Sequence, residues 1–236
     1  ASAEREVALA IERIYTYAAW ADKYDGMVHH TPFRNVTLAM PEPLGVMGVV
    51  CPESWPLLGF VSTVLPPVAM GNAVIAVPSA RAPLVATDLY QVLETSDVPP
   101  GVVNLVHGRG EEVGAALVRH RDVKLVSFTG SVAVGREIAS ACGQNLKRVS
   151  LELGGKNAQI VMEDADLSLA AEGALWGAFG TTGQRCTATS RLIVHREVKQ
   201  KVTDLLVGRA DKIKIGDGLD DVLREVAAEL ITALAA

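Results

Sequence analysis

The sequence predicts an α/β fold: a parallel sheet with helices on both faces, followed by the start of a second α/β unit. Three observations carry this. From about residue 45 to residue 153, short and almost continuously apolar runs alternate with helical patterns, as parallel strands buried on both faces alternate with their crossover helices. Ala, Val, Leu and Gly dominate and aromatic residues make up only 5%, which suits helices laid on strands. At 236 residues the chain can bury a substantial core, in one large domain or two small ones.

The elements follow in order. Residues 4–22 have helical spacing, with Val7, Ile11, Ile14, Tyr15 and Ala18 on one face. His29-His30 reads as a solvated turn and 37–40 as a strand. Then the alternation begins: strand 45–51, helix 56–70, strand 73–77, helix 83–95, strand 102–106, helix 111–120, strand 124–128, helix 132–141 and strand 148–153. The most apolar stretch, 57–77, is interrupted by Pro66-Pro67 and Gly71-Asn72, so it reads as a buried helix, a turn and a buried strand rather than a membrane span. After Gly154-Gly155 the pattern changes. Residues 158–162 form a short strand, and Asp164 or Asp166 caps a helix running to about Phe179. A Gly/Thr-rich loop leads to Cys186, followed by strand 191–194 and helix 198–210. From Asp220 an amphipathic helix sets Leu223, Val226, Leu230 and Leu234 on one side. The boundary falls near residue 154 and divides the chain into 1–153, a Rossmann-like unit, and 154–236. Sheets of the first kind bind ligands beyond the carboxyl ends of their strands.

Composition excludes several partners. A net charge of −5 gives no reason to expect nucleic acid or an anionic membrane. Three scattered cysteines, Cys51, Cys142 and Cys186, are too few for a disulfide framework and point to a reducing, cytoplasmic setting. Glu4, Arg5 and Glu6 stand where a signal peptide needs an apolar core. His29, His30, His107, His120 and His195 lack the spacing of zinc ligands, and there is no CxxC, so no metal is expected.

Three segments have the residue types of a reactive site. Cys186 lies in Gly183-Gln184-Arg185-Cys186-Thr187. Most free cysteines are inert small hydrophobes, but these flanks are not core neighbours, and an arginine with a nearby helix amino end favours the thiolate nucleophile. Glu152 ends an apolar strand in Leu151-Glu152-Leu153-Gly154-Gly155-Lys156. It reads equally as a general base or as an ion pair with Lys147, Arg148 or Lys156. Phe128-Thr129-Gly130-Ser131, continuing to Gly135, joins a strand to a helix whose free N–H groups suit an anion such as a pyrophosphate. Taken alone it is an ordinary strand-to-helix turn.

Together these segments resemble the aldehyde dehydrogenase superfamily. Leu151–Asn157 and Gly183-Gln184-Arg185-Cys186 are similar to its two signatures, and Phe128–Gly135 to its pyrophosphate turn. Trp20-Ala21-Asp22-Lys23, Glu42-Pro43-Leu44-Gly45-Val46, Gly71-Asn72 and Pro99-Pro100-Gly101-Val102-Val103-Asn104 match in order, from about residue 15 to Asp220. The resemblance implies a cofactor-binding domain at 1–153, truncated at its amino end, and part of a catalytic domain at 154–236. It implies NAD(P)+-dependent oxidation of a small-molecule aldehyde to a carboxylic acid, with NAD or NADP as cofactor and a homo-oligomer as the assembly. Cys186 would attack as thiolate, Glu152 would activate water against the thioester, and Ser54 would stand at the oxyanion position. Gly130, Ser131, Gly135, Pro52, Trp55, Leu153 and Gly154 would bind the cofactor.

The sequence also departs from the family. Pro52-Glu53-Ser54-Trp55-Pro56 stands where the family has Pro-Trp-Asn-Phe-Pro, so a serine replaces the oxyanion asparagine. The ribose lysine falls at Val77 and the ribose glutamate at Ala80, with Arg81 a possible substitute. The length is roughly half that of a typical member. The region before residue 100 looks like the degenerate second module of long tandem aldehyde dehydrogenases, whereas the later half looks catalytic. Two function classes follow: an aldehyde-oxidising enzyme, with a cofactor-free ester-cleaving variant, and a non-catalytic module acting in assembly through the strand at 37–40, which the family uses for oligomer contacts.

Overall fold

The computed structural model describes residues 2–217, and the helix expected from Asp220 lies outside them. The chain forms two compact units that part after Leu153.

In the first unit, helix α1 (Ser2–Trp20) is followed by two short antiparallel strands, β1 (Met27–His29) and β2 (Thr37–Ala39). A five-stranded parallel sheet follows: β3 (Val46–Val50), β4 (Ala73–Val77), β5 (Val103–Leu105), β6 (Val123–Gly130) and β7 (Arg148–Leu153). Their order is β5-β4-β3-β6-β7. The chain steps outward from β3 through α2 (Pro56–Ala69) to β4, and through α3 (Pro83–Glu94) to β5. It then crosses back over a π-helical turn (Gly110–Gly114) and α4 (Ala115–Arg119) to the other side of β3. From β6, α5 (Val132–Gln144) leads to β7. Strand order therefore reverses between β3 and β6, the switch point at which such sheets open a crevice.

Both faces of this sheet are covered, and the strands alternate between them. Val49, Cys51, Val74 and Ala76 pack with Ala10 of α1, Phe60, Val61 and Val64 of α2, and Ala86 of α3. Val77, Val126 and Phe128 pack with Leu117 and Val118 of α4, and Ile138 and Cys142 of α5. This two-sided burial is why the strands read as unbroken apolar runs.

Several sequence expectations shift. β1 takes in Met27 to His29, so His29 belongs to a strand and not to a turn. Of the predicted α1 face only Ile14 packs on the core, alongside Ala10 and Tyr17; Val7, Ile11, Tyr15 and Ala18 are exposed. The segment expected as one helix at 111–120 begins as the π turn, where Gly110 and Gly114 are weak helix formers. α2 runs through Pro66 and Pro67 to Ala69 before it ends. Its end is fixed by the buried Asn72, whose Nδ2 donates to the Pro67 carbonyl (3.0 Å) while its Oδ1 accepts from the N–H of Leu44 (2.7 Å).

The second unit has a parallel pair, β8 (Asn157–Val161) and β9 (Thr189–Val194), with α6 (Leu167–Phe179) and α7 (Lys199–Ala210). Val161, Val198 and Val202 form its core, with Leu167, Leu192 and Leu206 packed against them. Asp166, and not Asp164, caps α6, accepting from the N–H groups of Ser168 (2.9 Å) and Leu169 (3.1 Å). Among the described residues, no helix is long and apolar enough to cross a membrane.

Candidate active site

The carboxyl edge of the five-stranded sheet collects the first unit's predicted site residues. Val50 pairs with Phe128, so the loops that leave β3 and β6 start side by side. One loop carries Pro52, Ser54 and Trp55, and the other carries Gly130 and Ser131. β7 lies on the far side of β6, with Thr129 opposite Glu152 and Gly130 opposite Leu153. Glu152 is exposed there and makes no ion pair among the described residues. Lys147, offered as its partner by the sequence, instead donates to the carbonyls of Val118 (2.7 Å) and His120.

Of the crossover helices that begin at this edge, α2 and α5 leave the adjacent strands β3 and β6, and they differ in a way that decides where an anion can sit. The first four N–H groups of a helix have no partner within it. At α2 these are already engaged: one carboxylate oxygen of Glu6, on α1, accepts from Leu57 N–H (2.9 Å) and Leu58 N–H (3.0 Å). Trp55, the residue before α2, supplies no side-chain cap and takes a left-handed backbone (φ 52°). At α5 the cap is local and small. Ser131 Oγ accepts from Val134 N–H (3.3 Å), which leaves the N–H groups of Val132 and Ala133 at the helix mouth. Gly130 and Gly135 shape that mouth. A Cβ on Gly130 would come 2.4 Å from the Phe128 ring, and one on Gly135 would come 2.6 Å from Leu153 Cδ2. The residues at α5 thus fit the pyrophosphate of a dinucleotide, and those at α2 do not.

Glu6 is a site residue that sequence reasoning missed, because its partners lie some fifty positions away. Gly59 is another: a Cβ there would come 2.7 Å from Pro52 Cγ and 3.0 Å from the Ser54 carbonyl, so the first turn of α2 lies directly on the loop that carries Ser54. Val77 points into the core and is 3% exposed, out of reach of any ligand.

In the second unit Cys186 is an exposed thiol in a turn between α6 and β9. Asn157 Nδ2 donates to the Cys186 carbonyl at 2.6 Å, and a Cβ on Gly155 would come 3.1 Å from the same oxygen. The Gly154-Gly155-Lys156-Asn157 segment therefore grips the backbone of the cysteine turn. Arg185 is not free to act on the sulfur as expected. Its Nη2 donates to the Trp176 carbonyl (3.0 Å), and its guanidinium carbon lies 4.8 Å from the centre of the Trp176 ring. A strand, not a helix, follows Cys186. Before it, Thr181 (φ 59°), Thr182 (φ 54°) and Gly183 (φ 68°) are all left-handed.

Comparison with known proteins agrees with these features. A profile for the aldehyde dehydrogenase family matches residues 1–226. The chain is 41% identical over 220 residues to 2,5-dioxopentanoate dehydrogenase of Saccharolobus solfataricus, covering 92% of this chain and 46% of that protein. It is 41% identical to retinaldehyde dehydrogenase 3 of Homo sapiens, covering 89% of this chain and 41% of that protein. Among solved structures, an E. coli NADP dependent enzyme superposes with a TM-score of 0.82 at 33% identity, over 92% of this chain and 46% of that one. Betaine aldehyde dehydrogenase from Staphylococcus aureus in complex with NAD+ superposes with a TM-score of 0.81 at 35% identity, over 91% and 43%. The chain spans less than half the length of these relatives.

Proposed function

The chain belongs to the aldehyde dehydrogenase family, and on that premise we propose that it carries the nucleophile, the base and much of the cofactor cradle of an NAD(P)+-dependent aldehyde oxidation. The observation that best supports the reading is the register of β7 on β6. It sets Glu152 opposite Thr129, one position before the Gly130-Ser131 turn whose helix mouth fits a pyrophosphate. Relatives solved with NAD+ or described as NADP dependent agree with such a cradle. In this reading Pro52, Trp55, Gly130, Ser131, Gly135, Leu153 and Gly154 hold the dinucleotide. When bound, the nicotinamide supplies the two-electron oxidant.

The protein's own residues do the rest. The Cys186 thiolate forms a bond to the aldehyde carbon, and the carbonyl oxygen becomes an oxyanion that the Ser54 hydroxyl serves as donor. After oxidation the acyl group remains on Cys186 as a thioester. Glu152 takes a proton from water, the resulting hydroxide equivalent attacks the thioester carbon, and the carbon–sulfur bond breaks to return the thiolate and release the carboxylic acid. A soft nucleophile thus divides one difficult step into two, and the carboxylate is needed only in the second. The test is aldehyde-dependent NAD(P)H formation by the purified chain beside its Cys186→Ala variant. A rate no higher than the variant's would exclude turnover.

A second reading is a non-catalytic module that acts in assembly. Serine at position 54, the buried Val77 and Ala80 favour it. So do β1 and β2, whose Val28 (76% exposed) and Leu38 (57%) present apolar side chains to solvent. Saturable NAD+ binding by calorimetry counts against this reading, and its absence counts for it.

A further inference from the structure

The turn that carries Cys186 folds around a single side chain, the indole of Trp176. α6 ends at Phe179, and both ends of the turn that follows come back to Trp176. At the near end Gly180 N–H donates to the Trp176 carbonyl. A Cβ on Gly180 would come 2.4 Å from Cε3 of the indole, so only bare backbone fits against that part of the ring. At the far end Arg185 Nη2 donates to the same carbonyl (3.0 Å), and its guanidinium carbon lies 4.8 Å from the ring centre. Arg185 Nε is buried and has no hydrogen-bond partner among the described residues. The face of the indole is therefore a main support of this charge, and such a contact gains strength where water is excluded. Cys186 follows directly. Between the two ends lie the left-handed residues Thr181, Thr182 and Gly183, and a backbone of that kind persists only where its surroundings over-determine it.

We propose that Trp176 and Arg185 are positioning residues for the Cys186 thiol. The indole is the post on which the turn is set, Arg185 is the clasp that closes it, and the arginine acts through place rather than charge. Lysine in its position keeps the charge but lacks the flat fork that can stack on a ring and reach a carbonyl at once. Because the two residues act as a unit, losing either frees the turn, and losing both frees it little further. The inference rests on the reading of Cys186 as the nucleophile and adds what holds its sulfur in register.

Two measurements on the whole chain test it. A nitroxide methanethiosulfonate attached to Cys186, the exposed thiol beside two buried ones, reports the mobility of the turn without any turnover. The label should be ordered in the parent and move about two- to fivefold faster in Trp176→Leu, Arg185→Met and Arg185→Lys, with Trp176→Phe in between and the Trp176→Leu/Arg185→Met pair no faster than the faster single variant. The second measurement is the acylation burst with p-nitrophenyl acetate, in which the thiolate bonds to the acetyl carbon and p-nitrophenolate leaves. It should slow about tenfold in the same three variants, while alkylation of Cys186 by iodoacetamide, which asks little of geometry, stays within about twofold. A label already mobile in the parent, or one whose motion no variant changes, would overturn the post and clasp. A burst restored by Arg185→Lys, or alkylation that falls in step with the burst, would show the arginine acting by charge and overturn the assignment as well. An ordered label that responds as expected in a parent without a burst would uphold the positioning of the thiol and remove only the nucleophile reading.

Discussion

The side-chain amide of Asn157 donates to the backbone carbonyl of Cys186 at 2.6 Å, and a Cβ on Gly155 would come 3.1 Å from that same oxygen, a tight fit. Asn157→Ala removes the donor and releases the turn. The expected cost is about 1–2 kcal/mol of stability, read as a lower urea midpoint. If the thiol serves catalysis, turnover falls at least about tenfold, while Asn157→Asp, which lacks the NH₂ donor, behaves like the alanine variant.

Glu6 closes the amino end of α2, and no residue near that end in the chain does so. Glu6→Ala leaves two N–H groups without their acceptor and should cost about 1–2 kcal/mol, the usual scale of a lost cap. Glu6→Gln keeps an oxygen in place and should recover more than half of that in the same unfolding measurement. Equal losses in the two variants would show that the carboxylate charge, and not the geometry, holds the helix.

Gly59 meets the ring of Pro52 and the carbonyl of Ser54, neither of which yields easily. Gly59→Ala should destabilise the first unit by about 1–3 kcal/mol. It should also shift the loop that carries Ser54, seen as altered fluorescence of Trp55 relative to a Trp55→Phe control. A variant with unchanged stability would mean that the loop moves aside freely.

The three cysteines should separate cleanly by reagent. Cys186 is exposed, whereas Cys51 and Cys142 are buried. One thiol should react with a disulfide reagent in the native protein and three after denaturation.

Burial pushes the Cys51 thiol up to about 11 from its ordinary 9.0, against the hydrogen bond donated by the Thr63 hydroxyl. Above about pH 9 the unfolded chain loses this proton while the native chain keeps it, so stability is complete below pH 9 and falls as the pH rises toward 11. The fall attributable to Cys51 is about 2–3 kcal/mol. Cys51→Ala should flatten that part of a stability–pH curve. Burial raises Cys142 as well and accounts for a remaining slope.

The sequence made the strands legible because burial on both faces leaves little room for polar residues: β4 and β7 fall at the predicted residues. Local chemistry also fixed the Ser131 cap. What stayed hidden depends on distant partners. Nothing near Glu6 signals that it caps a helix some fifty residues on, and the inward face of α1, with Ala10, Ile14 and Tyr17, is set by packing on elements equally distant in the chain. Asn157 lay inside a recognised segment, yet its bond to the Cys186 carbonyl exists only once β8 and β9 are paired. Arg185 shows the opposite failure. Proximity in sequence suggested an effect on the thiol, but a nearby indole and carbonyl claimed the guanidinium.

Thr181, Thr182 and Gly183 take left-handed backbone three times in succession before the cysteine, a conformation free to glycine but disfavoured for threonine. Two of the three are β-branched, and each such residue costs on the order of 1–3 kcal/mol in that region. The segment therefore resembles a wound spring: replacing either threonine with glycine relaxes it and should raise the melting temperature, at the expense of a thiol whose position is no longer enforced.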